Sequence, residues 1–187
     1  MCSLTPPNPH FPRFLFEIDR DFADQLHFSQ CHCGGVLHRA NYPRKPRGCP
    51  DEARGDYQFR FSFCCSRCRR RTTAKSVRFL GRRVYLGLTV VLTSARAATN
   101  ALTEKVADEL GVPISTLQRW RQWWKNDFSS THLWQTECAQ FALRITNTLF
   151  PANLLDDFKQ RAANPSQALI DLLSFLAPMT VKADLVK

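Results

Sequence analysis

The cysteines constrain this chain more than any other feature of its sequence. Cys65-Ser66-Arg67-Cys68 places two thiols two residues apart, and Cys31-His32-Cys33 supplies a second close pair followed by two glycines. A tight turn at such spacings aims both sulfurs at one ion about 2.3 Å away. Two pairs around one tetrahedral ion predict a small β zinc ribbon that holds a structural Zn²⁺. The predicted ligands are Cys31, Cys33, Cys65 and Cys68.

The sequence leaves alternatives to some of these ligands. Cys64 directly precedes Cys65 and is an alternative ligand, although Cys65 gives the usual two-residue spacing to Cys68. His32 and His38 are alternative ligands as well, and each is more typical of a surface histidine. The other cysteines are isolated and are expected only to pack: Cys2, Cys49 and Cys138.

Positive charge is concentrated in the same part of the chain. The net charge is +10, whereas residues 31–83 alone carry 14 basic and three acidic side chains, a net of +11. So one-sided a charge repels itself unless a polyanion or a metal compensates it, which predicts a nucleic-acid partner. The segment 43–48 is also a candidate basic arm for a minor groove. The predicted phosphate-binding side chains are Arg44, Lys45, Arg47, Arg69, Arg70, Arg71, Arg78, Arg82 and Arg83.

A helix-turn-helix is predicted between residues 103 and 122. Thr103 is expected to cap the first helix, Ala107 to lie where the helices cross, and Gly111 to form a left-handed turn. The apolar positions expected to face inward are Val106, Leu110, Val112, Leu117 and Trp120. The polar positions of the second helix are expected to read base edges of double-stranded DNA, and they are Ser115, Gln118, Arg119 and Gln122. Residues 82–97 are predicted to form the first helix of this three-helix unit, with a strand as the alternative.

The whole chain is therefore predicted to be mainly α-helical with a small β ribbon. The expected divisions are an N-terminal arm and helix (1–30), the zinc ribbon (31–80), the helix-turn-helix (81–127) and a helical C-terminal unit (128–187). Apolar residues three and four apart predict a helix over 13–28, with Phe14, Leu15, Ile18, Phe22 and Leu26 on its buried face. Two later helices are expected near 152–162 and 166–176. They either complete the core or form a docking or homodimer surface, and both interpretations stand.

Several function classes are disfavoured by the same sequence. The longest apolar run, near Val84 to Leu92, is far shorter than the ~18–20 residues that span a bilayer, and no secretory signal is visible. A cytoplasmic, nucleoid-associated protein without membrane contact is expected. A catalytic zinc needs an open fourth position and a nearby base, and about 60 residues after Asn126 are too few for a ribonuclease-H-like domain. The chain is therefore predicted not to be an enzyme.

Three stretches carry a family resemblance. Cys31-His32-Cys33-Gly34-Gly35, the segment 42–48 and the segment 68–83 resemble small bacterial zinc-ribbon plus helix-turn-helix proteins associated with insertion sequences and transposases. The likeness covers roughly residues 30–125. It implies recognition of mobile-element DNA beside a separately encoded transposase. The alternatives are a transcriptional regulator with the same chemistry, and a metal-dependent nuclease or RNA-binding protein.

Overall fold

Helices dominate the structure, a computed structural model that describes residues 10–44, 49, 51–80, 87–95, 100–141, 145 and 149–181. In chain order the described helices are α1 (Phe11–Phe28), α2 (Arg54–Tyr57), α3 (Gly87–Ser94), α4 (Asn100–Leu110), α5 (Ile114–Asn126), α6 (His132–Glu137), α7 (Ala152–Arg161) and α8 (Pro165–Leu176). The strands are β1 (Leu37–Arg39), β2 (Tyr42–Pro43), β3 (Phe59–Arg60), β4 (Ser62–Cys65) and β5 (Arg71–Thr73). The prediction of a mainly helical chain with a little antiparallel sheet is confirmed.

The strands form two small antiparallel sheets. One has the order β1-β4-β5, with Leu37 opposite Cys65 and Cys64 opposite Arg71. The other pairs β2 with β3. One face of the larger sheet is covered by α1, because Ala23 of that helix shares a buried cluster with Leu37 and Cys65. So small a core is the setting in which a bound metal adds needed stability.

The helix α1 buries a row of residues spaced four apart: Phe11, Leu15, Asp19 and Ala23. Leu15 is buried as predicted, but Phe14 is 52% exposed and its place on the buried face was wrongly predicted. The row falls on one side of the helix because residues four apart in sequence lie on the same face. Its charged member, Asp19, is buried among the others.

The largest hydrophobic core gathers side chains from along most of the chain. Leu15 of α1, Val91 of α3 and Trp124 of α5 pack there with Leu172 of α8, and Val77 joins them from the segment after β5. Further core members come from α7 and α8: Leu154, Leu155, Leu169, Leu173 and Leu176. Both predicted C-terminal helices are confirmed, and these side chains complete the core.

The helices α3, α4 and α5 enclose a second core. Both α3 and α4 pack against α5, and Val90, Val106 and Leu117 are buried between them. The helical prediction for α3 is confirmed and its strand alternative is wrong. Gly111 between α4 and α5 has a φ of +58°, the left-handed conformation expected of it. Thr103 was wrongly predicted as a cap: α4 begins at residue 100, and the buried Thr103 hydroxyl accepts a hydrogen bond of 2.9 Å from Arg121.

Within the part of the chain that is described, each helix is too short or too polar to cross a bilayer.

Candidate metal centre and nucleic-acid interface

Four thiols converge at one end of the larger sheet. Cys31 and Cys33 lie in the turn between α1 and β1, Cys65 ends β4, and Cys68 lies in the turn that leads to β5. The Sγ atoms of Cys31 and Cys68 are 3.6 Å apart, those of Cys33 and Cys65 are 3.4 Å apart, and all four lie within 4.8 Å of one another. Four sulfurs 2.3 Å from a tetrahedral metal are about 3.8 Å apart. The four cysteines therefore form a cluster that can hold a metal ion.

The two turns that carry the thiols share a backbone device. In the first, Gly34 follows Cys33 with a φ of +73°, and its N–H donates to the Cys31 carbonyl at 2.7 Å. In the second, Arg69 follows Cys68 with a φ of +58°, and its N–H donates to the Cys65 carbonyl at 3.2 Å. The left-handed residue turns the chain back in each case, so both sulfurs of a pair point to one place. The left-handed conformation costs conformational free energy at Arg69 but not at Gly34, which has no Cβ.

Close packing around Cys65 explains the second glycine of the first turn. A Cβ atom on Gly35 would lie 2.6 Å from the Cys65 Sγ and 3.0 Å from the Cβ of Arg67. A real Cβ does not approach a sulfur so closely, so any side chain at this position would push the two turns apart. Pairing of β1 with β4 holds them together, since Leu37 lies opposite Cys65.

The thiols differ in acidity because backbone amides point at some of them. The N–H groups of Cys68 and Arg67 donate toward the Cys65 sulfur and lower its pKa to about 6. The Arg70 N–H acts in the same direction on Cys68, but the neighbouring Cys33 and Cys65 thiols prevail and raise the pKa of Cys68 to about 12. Protons thus distribute unevenly over the metal-free cluster. A cation with a charge of two is what allows four such groups to be thiolates together.

The other sulfur and imidazole candidates lie outside the cluster. The Cys64 thiol points toward the carbonyl oxygens of Arg69 and Cys65, at 3.6 and 3.9 Å. Among the described residues the group that can hold a metal is made of four cysteines, without His32 or His38. Cys49 packs beside Tyr57 and Phe79, and burial raises the pKa of its thiol to about 11. Cys138 lies apart as well, and Cys2 falls outside the described residues. The cluster thus contains Cys65, as its spacing predicted, and not Cys64.

Most of the predicted phosphate-binding side chains that are described lie on the surface. Arg69, Arg70 and Arg71 are exposed, and Arg44 is half-buried. The Arg71 guanidinium lies 4.5 Å from the ring centre of Tyr42, and that of Arg44 lies 5.7 Å from the same ring. Tyr42 thereby gathers two cations that come from distant parts of the sequence. The remaining predicted positions fall outside the described residues: Lys45, Arg47, Arg82 and Arg83.

Arg78 is a correction, because it is buried rather than available to phosphate. Its side chain is inaccessible to solvent, and its Nε donates to the Asp19 carboxylate at 2.7 Å. Its guanidinium also lies 4.9 Å from the Phe16 ring centre and donates to the Asp56 carbonyl. From sequence, Arg78 continued a run of surface cations. The feature that could have indicated its burial is Asp19, a carboxylate on the buried face of α1 that needs a cation as its partner.

The Asp19 carboxylate is the centre of a buried polar network. Besides Arg78, it accepts hydrogen bonds from the Ser76 hydroxyl at 2.6 Å and from the Val77 N–H at 2.7 Å. Burial raises the pKa of this carboxyl, and the Arg78 charge and the hydrogen bonds oppose the rise. The Ser76 N–H donates in turn to the Thr180 hydroxyl at 3.0 Å. The network joins α1, the segment after β5 and the last described turn of the chain, and so fixes the cysteine-bearing sheet on the helical core.

The helix α5 presents a polar face to solvent. Its predicted base-reading residues are exposed: Ser115, Gln118, Arg119 and Gln122. The opposite face is buried, with Leu117, Trp120 and Trp124 at most 8% exposed. Arg119 donates to the Thr116 hydroxyl at 3.0 Å, which directs its guanidinium back toward the beginning of the helix. Sequence reasoning missed Ile114, which is apolar and yet 39% exposed.

Charge separates the exposed faces of α4 and α5. The sequence of α5 contains three basic residues and no acidic one, namely Arg119, Arg121 and Lys125. Among the α4 side chains that the structure describes, the exposed charged ones are Glu104, Lys105 and Asp108, which include two carboxylates. Of these two helices, only α5 therefore offers a polyanion a described surface free of carboxylates.

Comparison with known proteins adds no relative, because no family model, no curated protein and no solved structure matches this chain.

Proposed function

We propose that this protein binds double-stranded DNA as an accessory protein of a mobile genetic element, with a structural Zn²⁺ in a zinc ribbon. The proposal is carried by the exposed face of α5, which combines amide and guanidinium groups without a carboxylate. In this reading α4, the turn at Gly111 and α5 are a helix-turn-helix, with α5 as the helix that enters the major groove.

The chemistry of each surface indicates whether it contacts bases or phosphates. Gln118 and Gln122 carry amides, which pair with the donor and acceptor edge of adenine, while Arg119 suits the two acceptors of guanine. The cations beside the cysteine cluster bind phosphates, which sets the register of the protein on the duplex without reading sequence. They are Arg67, Arg69, Arg70, Arg71 and Lys75, all exposed.

Zinc is the metal that the donor set favours. Four thiolates around a tetrahedral site suit zinc or an iron–sulfur centre, and a single ion between four cysteines is the structural zinc arrangement. When bound, the ion takes up the charge of the thiolates and joins the two turns. All four ligand positions are supplied by protein, so the role is structural and a binding function is proposed rather than an enzymatic one.

The mobile-element part of the proposal rests on the resemblance of residues 30–125 to insertion-sequence proteins. A transcriptional regulator would use the same two surfaces on a promoter. Selected target sequences distinguish the two, since terminal repeats of a mobile element support the proposal and operator sites in a regulated operon contradict it. A separately encoded transposase is the partner expected to act on the bound DNA.

The first experiment is a competition for the zinc-loaded protein among duplex DNA, single-stranded DNA and duplex RNA of equal length. Fluorescence anisotropy is expected to show preference for duplex DNA and a steep loss of affinity as salt rises. Preference for RNA favours an RNA-binding protein, and cleavage of the duplex with magnesium favours a nuclease; either result contradicts the proposal. Metal analysis of the same sample is expected to give one zinc per chain.

A further inference from the structure

We propose that Ile114 is a specificity-determining residue that contacts the 5-methyl group of a thymine in the major groove. This inference rests on the proposed function and deepens it, because it names a base that α5 selects and the atom by which it does so. The base contacts predicted from the sequence are made by polar residues of α5 and do not include Ile114.

Ile114 lies outside the hydrophobic cores that the described residues form. Its side chain is 39% exposed. Of the next three residues, Ser115 is exposed, whereas Thr116 and Leu117 are buried, and Leu117 packs in the core between α3, α4 and α5. An isoleucine that the core does not use therefore lies on the otherwise polar outer surface of α5.

The position of Ile114 on the helix places it beside the proposed readers. Gln118 lies four residues later and so is its neighbour along the helix surface. The Arg119 guanidinium is drawn toward the same end of the helix by its hydrogen bond to Thr116. In helix-turn-helix proteins it is the first part of the recognition helix that meets base edges. Ile114, Gln118 and Arg119 therefore form one apolar and two polar contact points.

The backbone holds this residue in place. Pro113, in an extended conformation with ψ of 140°, precedes the helix, and its carbonyl accepts hydrogen bonds from the N–H groups of Thr116 and Leu117 at 2.8 and 3.3 Å. Since Leu117 is 1% exposed, the first turn of α5 is anchored in the core. A side chain on so fixed a turn discriminates between bases better than one on a loop.

The charge of α5 and the groups in the major groove indicate what Ile114 contacts. A carboxylate-free helix with three basic residues favours a polyanion over an apolar protein surface. In duplex DNA the apolar group presented in the major groove is the thymine methyl, and aliphatic side chains recognise it by contact. Ile114 thus matches thymine, while uracil, which lacks only that methyl group, does not match it.

The test is a double-mutant cycle between protein and DNA. A duplex is first selected from a random pool by the wild-type protein, and each thymine is then replaced in turn by deoxyuridine. At one position the replacement is expected to weaken wild-type binding about fourfold, the effect of one buried methyl group. For Ile114→Ala the same replacement is expected to have no effect, and Ile114→Val is expected to retain part of the discrimination. Leu149→Ala, which alters an aliphatic side chain that is 59% exposed elsewhere, is the matched control and should behave as wild type.

The outcomes separate this inference from the function on which it rests. Sequence-specific duplex binding in which no uracil substitution distinguishes wild type from Ile114→Ala overturns the role of Ile114 and leaves the proposed function standing. A selected site without thymine does the same. Failure of the zinc-loaded protein to bind any duplex overturns both.

Discussion

Replacement of Asp19 by asparagine is expected to destabilise this protein strongly, because it breaks an ion pair that is buried on both sides. The carboxylate is 1% exposed and receives donors from three groups, the side chains of Arg78 and Ser76 and the backbone of Val77. Asparagine keeps one acceptor oxygen but leaves the Arg78 guanidinium as a buried charge without a counterion. Breaking a buried pair in this way costs about 3–5 kcal/mol in the free energy of unfolding. For a chain of this size that corresponds to a fall of about 10 °C in Tm.

The assay is urea unfolding of the zinc-loaded protein followed by circular dichroism, with the slope m compared between variants to show that both states stay comparable. Asp24→Asn is the matched control. It breaks a pair with Arg39 at 3.0 Å whose side chains are 40% and 61% exposed, and its expected cost is below about 1 kcal/mol. The double variant Asp19→Asn with Arg78→Met removes the unpaired charge and is expected to recover part of the loss. A loss below about 1 kcal/mol for Asp19→Asn, or a double variant no more stable than Asp19→Asn alone, contradicts this explanation.

Three further predictions concern the cysteines and Arg69. Cys68→Ser is expected to abolish stoichiometric zinc binding and to unfold the β1-β4-β5 sheet, while Cys64→Ser retains the metal. Metal analysis and circular dichroism measure both effects. Equal zinc content in the two variants contradicts the ligand assignment. Arg69→Gly removes a side chain from a left-handed turn, so it is expected to raise the free energy of unfolding by about 1 kcal/mol. Because it also removes a cation, the salt dependence of DNA binding is expected to fall by about one phosphate contact. An unchanged salt slope argues against a phosphate role for Arg69. The rate of alkylation of Cys49 in the zinc-loaded protein is expected to rise about tenfold per pH unit between pH 8 and pH 10. Burial raises the pKa of this thiol to about 11, and the thiolate is the reacting form. A rate that levels off below pH 9 contradicts this prediction.

The sequence predicted the parts of the fold that local patterns control. Residue periodicity located α1, α7 and α8, and thiol spacing identified Cys65 rather than Cys64 as a member of the four-cysteine cluster. Gly111 adopts the left-handed conformation expected between two helices. These features depend on residues close in sequence, whose geometry is set by turns and helical faces.

Long-range contacts account for what sequence reasoning missed. Phe14 fits the apolar pattern of α1 as well as Leu15 does, and only the neighbouring sheet and helices decide which of them is buried. Asp19 and Arg78 are 59 residues apart, so nothing local indicated that each is the partner of the other. Thr103 was expected to cap a helix, but α4 already includes residue 100, and the Thr103 hydroxyl accepts a hydrogen bond from Arg121 of the neighbouring helix.

The central claim is that α5 reads the sequence of duplex DNA. The most direct test is the ratio of affinities for the selected duplex and for a scrambled duplex, compared between the wild type and one double variant. Affinities of the zinc-loaded protein for its selected duplex and for a scrambled duplex of the same composition are measured at fixed salt, for wild type and for Gln118→Ala with Arg119→Ala. If α5 reads bases, the double substitution lowers this ratio by about tenfold or more, since a good base contact contributes about 1–3 kcal/mol. Binding to the scrambled duplex is expected to change little. A double variant that keeps the full wild-type ratio shows that Gln118 and Arg119 of α5 do not read the DNA sequence.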